Sequence, residues 1–480
     1  MRFKIIHRYI GLSMLMVAAL MAVSGIVSLT MDNEGSSVPL FFSAFVTALF
    51  GSFPLIFVKG EPRISQKEGY WIVVGSWVLG CLFGMLPYIM YGGQFTPVNA
   101  FFESVSGFTT TGASILSDIE CLPKGILFWR VSTAWVGGVG IITVFSLLVP
   151  NADGSRSMLS NTEISGIARE NVHWKSGLFS YRIIIVYAGL TVLSSIALRI
   201  CGLSWFDAIS HAMSACSTCG FGNRNASIAS FQNPAAEVVL TVTMLLAGMN
   251  LSLIFLSFTK GNHSRLLRDE IPRAYLAFFV LASLLICISL CFDGHRFPEA
   301  LRLACFQTIS ISTTTGFATA DTTLWPPLCI VVLLCCSFFC GCSGSTSGGM
   351  KIDRGILAFK GLQYKIRSLY NPRSVNSIRI DGMLKSSEQV NYALIFIVCY
   401  LFIIVVGAIL NAAFGLDPTT AITASISCMG NVGPGFGEVG SMGNYADLPS
   451  ILKISLSLEM LLGRLEIFPI LYVLFGLRAK

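Results

Sequence analysis

Four short segments of the chain end in the same kind of turn: Thr110-Thr111-Gly112, Thr218-Cys219-Gly220, Thr314-Thr315-Gly316 and Asn431-Val432-Gly433. The residue two before the glycine is Thr, Thr, Thr and Asn. The residue six before it is serine each time: Ser106, Ser214, Ser310 and Ser427. Each turn lies between two long apolar stretches. Four in register imply a ring of equivalent loops around one axis, and such a ring in a membrane can replace the water around an ion. Glycine suits the turn because carbonyls aimed at one axis need backbone angles that a Cβ disfavours. The preceding threonine offers a hydroxyl or carbonyl oxygen, and its β-branch stiffens the chain. Glycine in membrane helices commonly serves packing. That role fits Gly80, Gly84 and Gly407, but not a glycine after a short helix four times over.

Composition places these turns in lipid. The chain is 54% hydrophobic and 12% charged, against about 25% charged in a soluble domain; its mean hydropathy is +0.73. Apolar runs include Leu12–Leu29, Phe41–Val58, Trp71–Tyr91, Ile183–Leu198, Val238–Phe258, Ala274–Cys291, Leu328–Cys340, Ala393–Leu410 and Ile467–Leu477. Several reach the roughly 20 residues that cross about 30 Å of hydrocarbon as a helix. The fold class is therefore an all-α polytopic membrane protein. Arg2, Lys4 and Arg8 before the first run resemble a signal peptide, but no small-residue cleavage site follows before Asp32, so a retained first helix is expected.

Most of the 32 Lys and Arg residues fall in six regions: the N-terminal arm, Lys59–Lys67, Arg156–Arg182, Lys260–Arg273, Lys351–Lys385 and the C-terminus. Basic residues gather in cytoplasmic loops. Both termini thus read as cytoplasmic, and the glycine turns approach from the outer side. The same asymmetry accounts for the net charge of +7; no basic stripe interleaves with exposed aromatics, so nucleic acid is not an expected partner.

The turns divide the chain into an N-terminal transmembrane helix pair (1–66) and four repeats: 67–155, 156–262, 263–385 and 386–480. Each repeat reads as long helix, short segment, glycine turn, long helix. The short segments are Pro97–Thr109, Trp205–Ser217, Pro298–Thr313 and Pro418–Gly430, too short to span and led by residues suited to a helix start. They read as re-entrant half-helices whose C-termini, carrying partial negative charge, face the membrane centre and favour a cation.

Enzyme chemistry finds no support. The five histidines form no H-x-x-x-H pair, and no G-x-S-x-G elbow or complete P-loop occurs. Most of the 15 cysteines sit in apolar runs as small hydrophobes; Cys340-Gly-Cys342 has no nearby histidine to suggest a metal. The Gly/Ser stretch Ser343, Gly344, Ser345, Thr346, Ser347, Gly348, Gly349 breaks what is otherwise one helix from Leu328 to about Phe359. Irregular backbone at this depth survives only inside protein or beside water, so the stretch is a packing kink, a loop or a functional element. Arg464 lies in the last helix. A charge there costs roughly 2.5–3.5 kcal/mol on insertion scales, so it faces water or a partner such as Glu459 or Glu466. Glu103, on the first half-helix, is either an acceptor behind the turn or a cation attractor.

The chain resembles the TrkH/KtrB superfamily of potassium transporters, which includes the plant HKT proteins, and most of all its TrkH-like branch. The resemblance rests on the four turns, Trp135-Val-Gly-Gly-Val-Gly-Ile141, Cys342-Ser-Gly-Ser-Thr-Ser-Gly-Gly349 and Gly463-Arg464-Leu465-Glu466. It implies four M1–P–M2 repeats, each like a potassium-channel subunit, around a pseudo-fourfold pore after an N-terminal helix pair: about ten transmembrane helices and four re-entrant pore helices. It implies potassium bound at the filter residues, with Gly112, Gly220, Gly316 and Gly433 as the filter glycines. Some HKT members carry serine at the first of these and pass sodium, so glycine here favours potassium; a sodium or mixed transporter is the alternative. Cys219 departs from the pattern, but its expected ligand is the backbone carbonyl. The resemblance makes 341–349 an intramembrane gating loop and Arg464 a charge below the filter that opposes cations or steadies that loop. It also implies a homodimer in the bacterial inner membrane, bound to a cytoplasmic ring of nucleotide-binding Rossmann subunits. Lys260–Arg273 and Lys351–Lys385 serve either as docking surfaces or as membrane anchoring. Proton or sodium symport and channel-like passage both remain open. No organic cofactor is implied on this chain.

Overall fold

A helix apolar on every face has no side for water, and the long runs fold accordingly. The computed structural model describes residues 2–31, 35–58, 64–140, 179–259, 268–371 and 377–476. Lys59, Arg63, Arg156, Arg169, Lys175, Lys260, Arg265, Arg373, Arg478 and Lys480, on which the orientation partly rests, lie outside the described residues, as does Ile141. Among the described residues, six helices are long and apolar enough to cross a membrane: Phe3–Met31, Ser37–Phe57, Lys67–Tyr91, Tyr181–Ile200, Glu270–Phe292 and Ser387–Ala413. The last leaves Val398, Phe402, Val405 and Ile409 exposed, as a lipid-facing surface requires. The chain is a multi-pass helical membrane protein.

The first two helices cross with their backbones in contact. A Cβ on Gly11 would stand 2.5 Å from the Gly51 carbonyl oxygen, and one on Gly51 2.7 Å from that of Gly11. Where lipid is as apolar as leucine, such close packing rather than hydrophobicity drives association.

Four short helices follow the expected segments to within a residue at each end: Pro97–Phe108, Trp205–Ser217, Phe297–Ser312 and Pro418–Gly430. Three begin on side-chain caps. Thr96 accepts from the Asn99 amide, Ser204 from the Asp207 amide, and Asp417 from the Thr419 and Thr420 amides. Thr420, and then Thr419, hold the Asp417 carboxyl below the usual carboxylate range. These bonds satisfy donors that a helix start leaves open.

Two helices depart from the sequence reading. The run Val238–Phe258 reads as one span, but the chain bends by 97° between Pro234–Ala247 and Leu251–Thr259. Asn250 restarts the second piece by accepting from the Ser252 and Leu253 amides at 3.0 and 3.2 Å. Likewise Arg464 does not lie inside a continuous last helix. It ends the helix Ser450–Arg464, and a new one starts at Phe468. Between them Glu466 and Ile467 take left-handed backbone angles, φ 59° and 58°, which a β-branched residue adopts only under constraint. The Leu328–Phe359 run divides into Pro327–Phe338 and Ile352–Tyr370; between them Phe339–Cys340 pairs in parallel with Met350–Lys351.

Gly11→Ala tests the close crossing of the first two helices. Overpacking of this kind costs about 1–3 kcal/mol, so the thermal midpoint of the detergent-solubilised protein should fall; an unchanged midpoint speaks against the backbone contact.

Candidate functional site

Each short helix ends in a turn of one geometry. The residue two before the glycine has a left-handed backbone in all four: Thr110 φ 55°, Thr218 54°, Thr314 58° and Asn431 54°. Asparagine tolerates this region. A threonine does not, and such strain costs of order 1–3 kcal/mol per residue where surrounding structure enforces it. The recurring serine supplies part of that enforcement. Its carbonyl accepts the amide of the turn's middle residue: Thr111 to Ser106 at 2.9 Å, Cys219 to Ser214 at 3.1 Å, Thr315 to Ser310 at 2.8 Å and Val432 to Ser427 at 2.9 Å. In the third and fourth turns the hydroxyl contributes as well, Ser310 donating to the Phe317 carbonyl and Ser427 to the Gly433 carbonyl, both at 2.7 Å.

The turns close on one another. A Cβ added to Gly112 would run into the carbonyl oxygen of Cys219, one on Gly220 into that of Thr315, and one on Gly316 into that of Val432. The circuit completes at Gly433, whose Cβ would stand 2.6 Å from the Thr111 carbonyl oxygen. First meets second, second meets third, third meets fourth, and fourth returns to first. All four glycines have φ between 78° and 98°, and all four line one cleft together with Phe221, Pro434 and Tyr445. The described structure thus brings all twelve turn residues named from the sequence into a single ring.

A buried ion pair braces this ring, and the sequence reading missed half of it. Arg130 donates to Glu103 at 2.7 Å with both side chains fully buried. Glu103 also accepts from the Ser114 hydroxyl and the Ile115 amide, each at 3.1 Å. Arg130 reaches the Gly222 carbonyl at 3.3 Å and lies over the Phe221 ring at 4.2 Å. The pair therefore joins the first turn to the second from behind, and Glu103 is an acceptor there. Tyr445 ties the fourth turn to the first: its hydroxyl donates to the Gly433 carbonyl at 2.9 Å and its amide to the Ser114 carbonyl at 2.8 Å. A lone arginine in the apolar stretch Gly125–Val139 was the available signal, legible once Glu103 was asked for its counter-charge.

The Gly/Ser stretch sits against the ends of the short helices. The Thr346 hydroxyl donates to Cys216 and Ala247 carbonyls at 2.9 and 3.2 Å. Gly348 packs so closely on the fourth turn that a Cβ would stand 2.7 Å from that of Asn431. The carbonyls freed by the bend at Gly248 are taken up here, Gly248 accepting from the Cys342 amide at 2.8 Å and Ala247 from the Thr346 amide at 3.3 Å. Asn250 donates to the Ser343 carbonyl at 2.9 Å, and Asp353 accepts the Ser343 amide at 3.2 Å. Lys351 is buried and bonds the Ser345 and Ser347 hydroxyls and the Ser347 carbonyl. Together with Arg354, it corrects the reading of Lys351–Lys385 as a surface throughout.

Arg464 binds the loop to the first repeat. It donates to the Thr346 carbonyl at 2.8 Å and to the Gly137 and Gly138 carbonyls at 2.5 and 2.8 Å. The latter two belong to the C-terminal turn of Lys124–Val139, where helix carbonyls carry partial negative charge. Of the carboxylates expected to neutralise Arg464, Glu466 pairs with Arg354 at 2.6 Å and Glu459 accepts from Ser425 at 2.7 Å.

A family model described as a cation transport protein matches residues 39–292 and 275–476, nearly the whole chain. The chain belongs to the TrkH family. Its TrkH relatives include a Trk system potassium uptake protein of Vibrio parahaemolyticus, 33% identical over 492 residues and covering 99% of each chain. The corresponding protein of Escherichia coli is 32% identical over 486 residues, again covering 99% of each. The crystal structure of the potassium transporter from Vibrio parahaemolyticus superposes with a TM-score of 0.90 at 30% identity, covering 100% of both chains. The TrkH family comprises transport proteins, and the chain is not an enzyme.

Glu103→Gln leaves the Arg130 charge buried without its partner, a change that costs about 3–5 kcal/mol. Its thermal midpoint should drop well below that of the double variant Glu103→Gln with Arg130→Met. Equal midpoints would show that the pair is not coupled.

Proposed function

We propose that the chain carries potassium ions inward across the bacterial cytoplasmic membrane through the ring of four turns. The closed circuit from each glycine to the next turn's carbonyl carries this reading. Carbonyl oxygens of Thr110, Thr111, Gly112, Thr218, Cys219, Gly220, Thr314, Thr315, Gly316, Asn431, Val432 and Gly433 take the place of the ion's hydration shell. The helix ends behind them add partial negative charge. Glycine at all four positions and the relatives' names favour potassium over sodium. The membrane potential supplies about 2.3 kcal/mol per charge per 100 mV.

Ser343–Gly349 acts as the gate. Lodged against three of the short-helix ends and pinned by Arg464, it closes the inner side of the ring and sets a positive charge there. The chain works as an N-terminal pair (1–66) with repeats 67–155, 156–262, 263–385 and 386–480, both termini cytoplasmic. It functions as a homodimer opened by a cytoplasmic ring of nucleotide-binding subunits, a role consistent with the relatives' designation as components of a Trk system.

Rescue of a potassium-uptake-deficient cell at low external potassium, with and without the regulatory subunit, tests the reading; no rescue in the presence of a matched subunit counts against it. Gly112→Ser should let sodium compete, since the added Cβ meets the Cys219 carbonyl; an unchanged ion preference speaks against the ring as filter. Removing 343–349 should raise basal potassium flux without the subunit, and a fall in flux at equal expression would sink the gate.

A further inference from the structure

One hydrogen bond joins the loop to the ring itself. The Gly348 amide donates to the Thr314 hydroxyl oxygen at 2.8 Å, with both groups buried. The other three equivalent positions serve differently. The Thr218 hydroxyl donates to its neighbour's carbonyl, at Ser217, 2.7 Å away. The Thr110 hydroxyl has no hydrogen-bond partner among the described residues. The Asn431 amide nitrogen donates to Thr111 and to the Met460 carbonyl at 3.0 and 2.9 Å, while its oxygen has no partner among the described residues. The fourfold pattern of the backbone is thus broken in the side chains, and it is broken where the loop arrives.

We propose that Thr314 is a positioning residue of the gate as well as a member of the ring, so that loop seating and a potassium ion at the inner end of the third turn compete for one hydroxyl oxygen. The inference rests on the ring being the potassium path. An N–H aimed at an oxygen places positive dipole where a cation would need negative, and it occupies a lone pair the cation would use. The loop therefore seats best when no ion lies at that end of the ring. By linkage the effect is reciprocal: potassium there loosens the loop by the same factor that the seated loop weakens potassium. Gly348 is suited to this contact, since any Cβ there would press on Asn431.

The test is hydrogen–deuterium exchange of the 341–351 segment in the purified full-length protein, in potassium and in an impermeant organic cation. In the wild type, potassium should speed exchange. Thr314→Val, which keeps the shape and removes the acceptor, should speed exchange about 2- to 10-fold in either medium, the range of one net hydrogen bond, and abolish the potassium effect. Thr314→Ser should behave as wild type. If Thr314→Val does not fold, Thr314→Ala removes the same acceptor. Exchange that ignores both Thr314 and potassium overturns the proposal. Failure of the ring as filter would show separately, as an unchanged ion preference in Gly112→Ser while loop exchange still responds to Thr314.

Discussion

A peptide group stripped of water and given no partner costs several kcal/mol in hydrocarbon. That constraint orders this molecule. Helix ends, turns and a bend interrupt the apolar runs, and several of the peptide groups they free are answered by a specific acceptor or donor. The bend at Gly248 frees carbonyls that the loop amides of Cys342 and Thr346 take up. The helix ending at Val139 presents Gly137 and Gly138 carbonyls that Arg464 takes up. The interruptions are possible because they lie against one another, so each depends on the rest being in place.

The same logic explains why the charges are where they are. Arg130 and Glu103 sit behind the ring and touch its turns through carbonyls, amides, the Ser114 hydroxyl and an aromatic face. Arg464 and Lys351 sit on the loop side: Lys351 bonds oxygens of the loop, and Arg464 bonds one loop carbonyl and two of the helix ending at Val139. Each charge therefore stiffens a segment of irregular backbone. The strained threonines at 110, 218 and 314 persist because serine carbonyls, the ion pair and Tyr445 fix the chain on either side.

The ring was legible in the sequence because its elements repeat: serine, threonine or asparagine, and glycine recur at fixed offsets, and repetition survives without knowledge of contacts. The short helices were legible from proline and capping residues, and the loop from its density of glycine and serine. The bend at Gly248 was not, since Gly-Met-Asn inside an apolar run contains no proline and its cause is a loop almost a hundred positions further on. The backbone partners of Arg464 were not legible for a similar reason. Nearby carboxylates are visible in a sequence, but the carbonyls that receive its bonds belong to residues 137, 138 and 346 and leave no trace in side-chain chemistry. Arg130 was hidden by its neighbours' apolarity, Lys351 by its place at the head of a basic region.

Because the four quadrants of the ring are encoded separately, they have been free to diverge. Cysteine stands at 219 and valine at 432 where threonine stands at 111 and 315, and asparagine replaces threonine at 431. In an assembly of four identical subunits, any codon change alters every quadrant at once. Here it alters one, so the geometry of the ring can drift in small increments, and a single quadrant can acquire a second duty while the other three preserve the first.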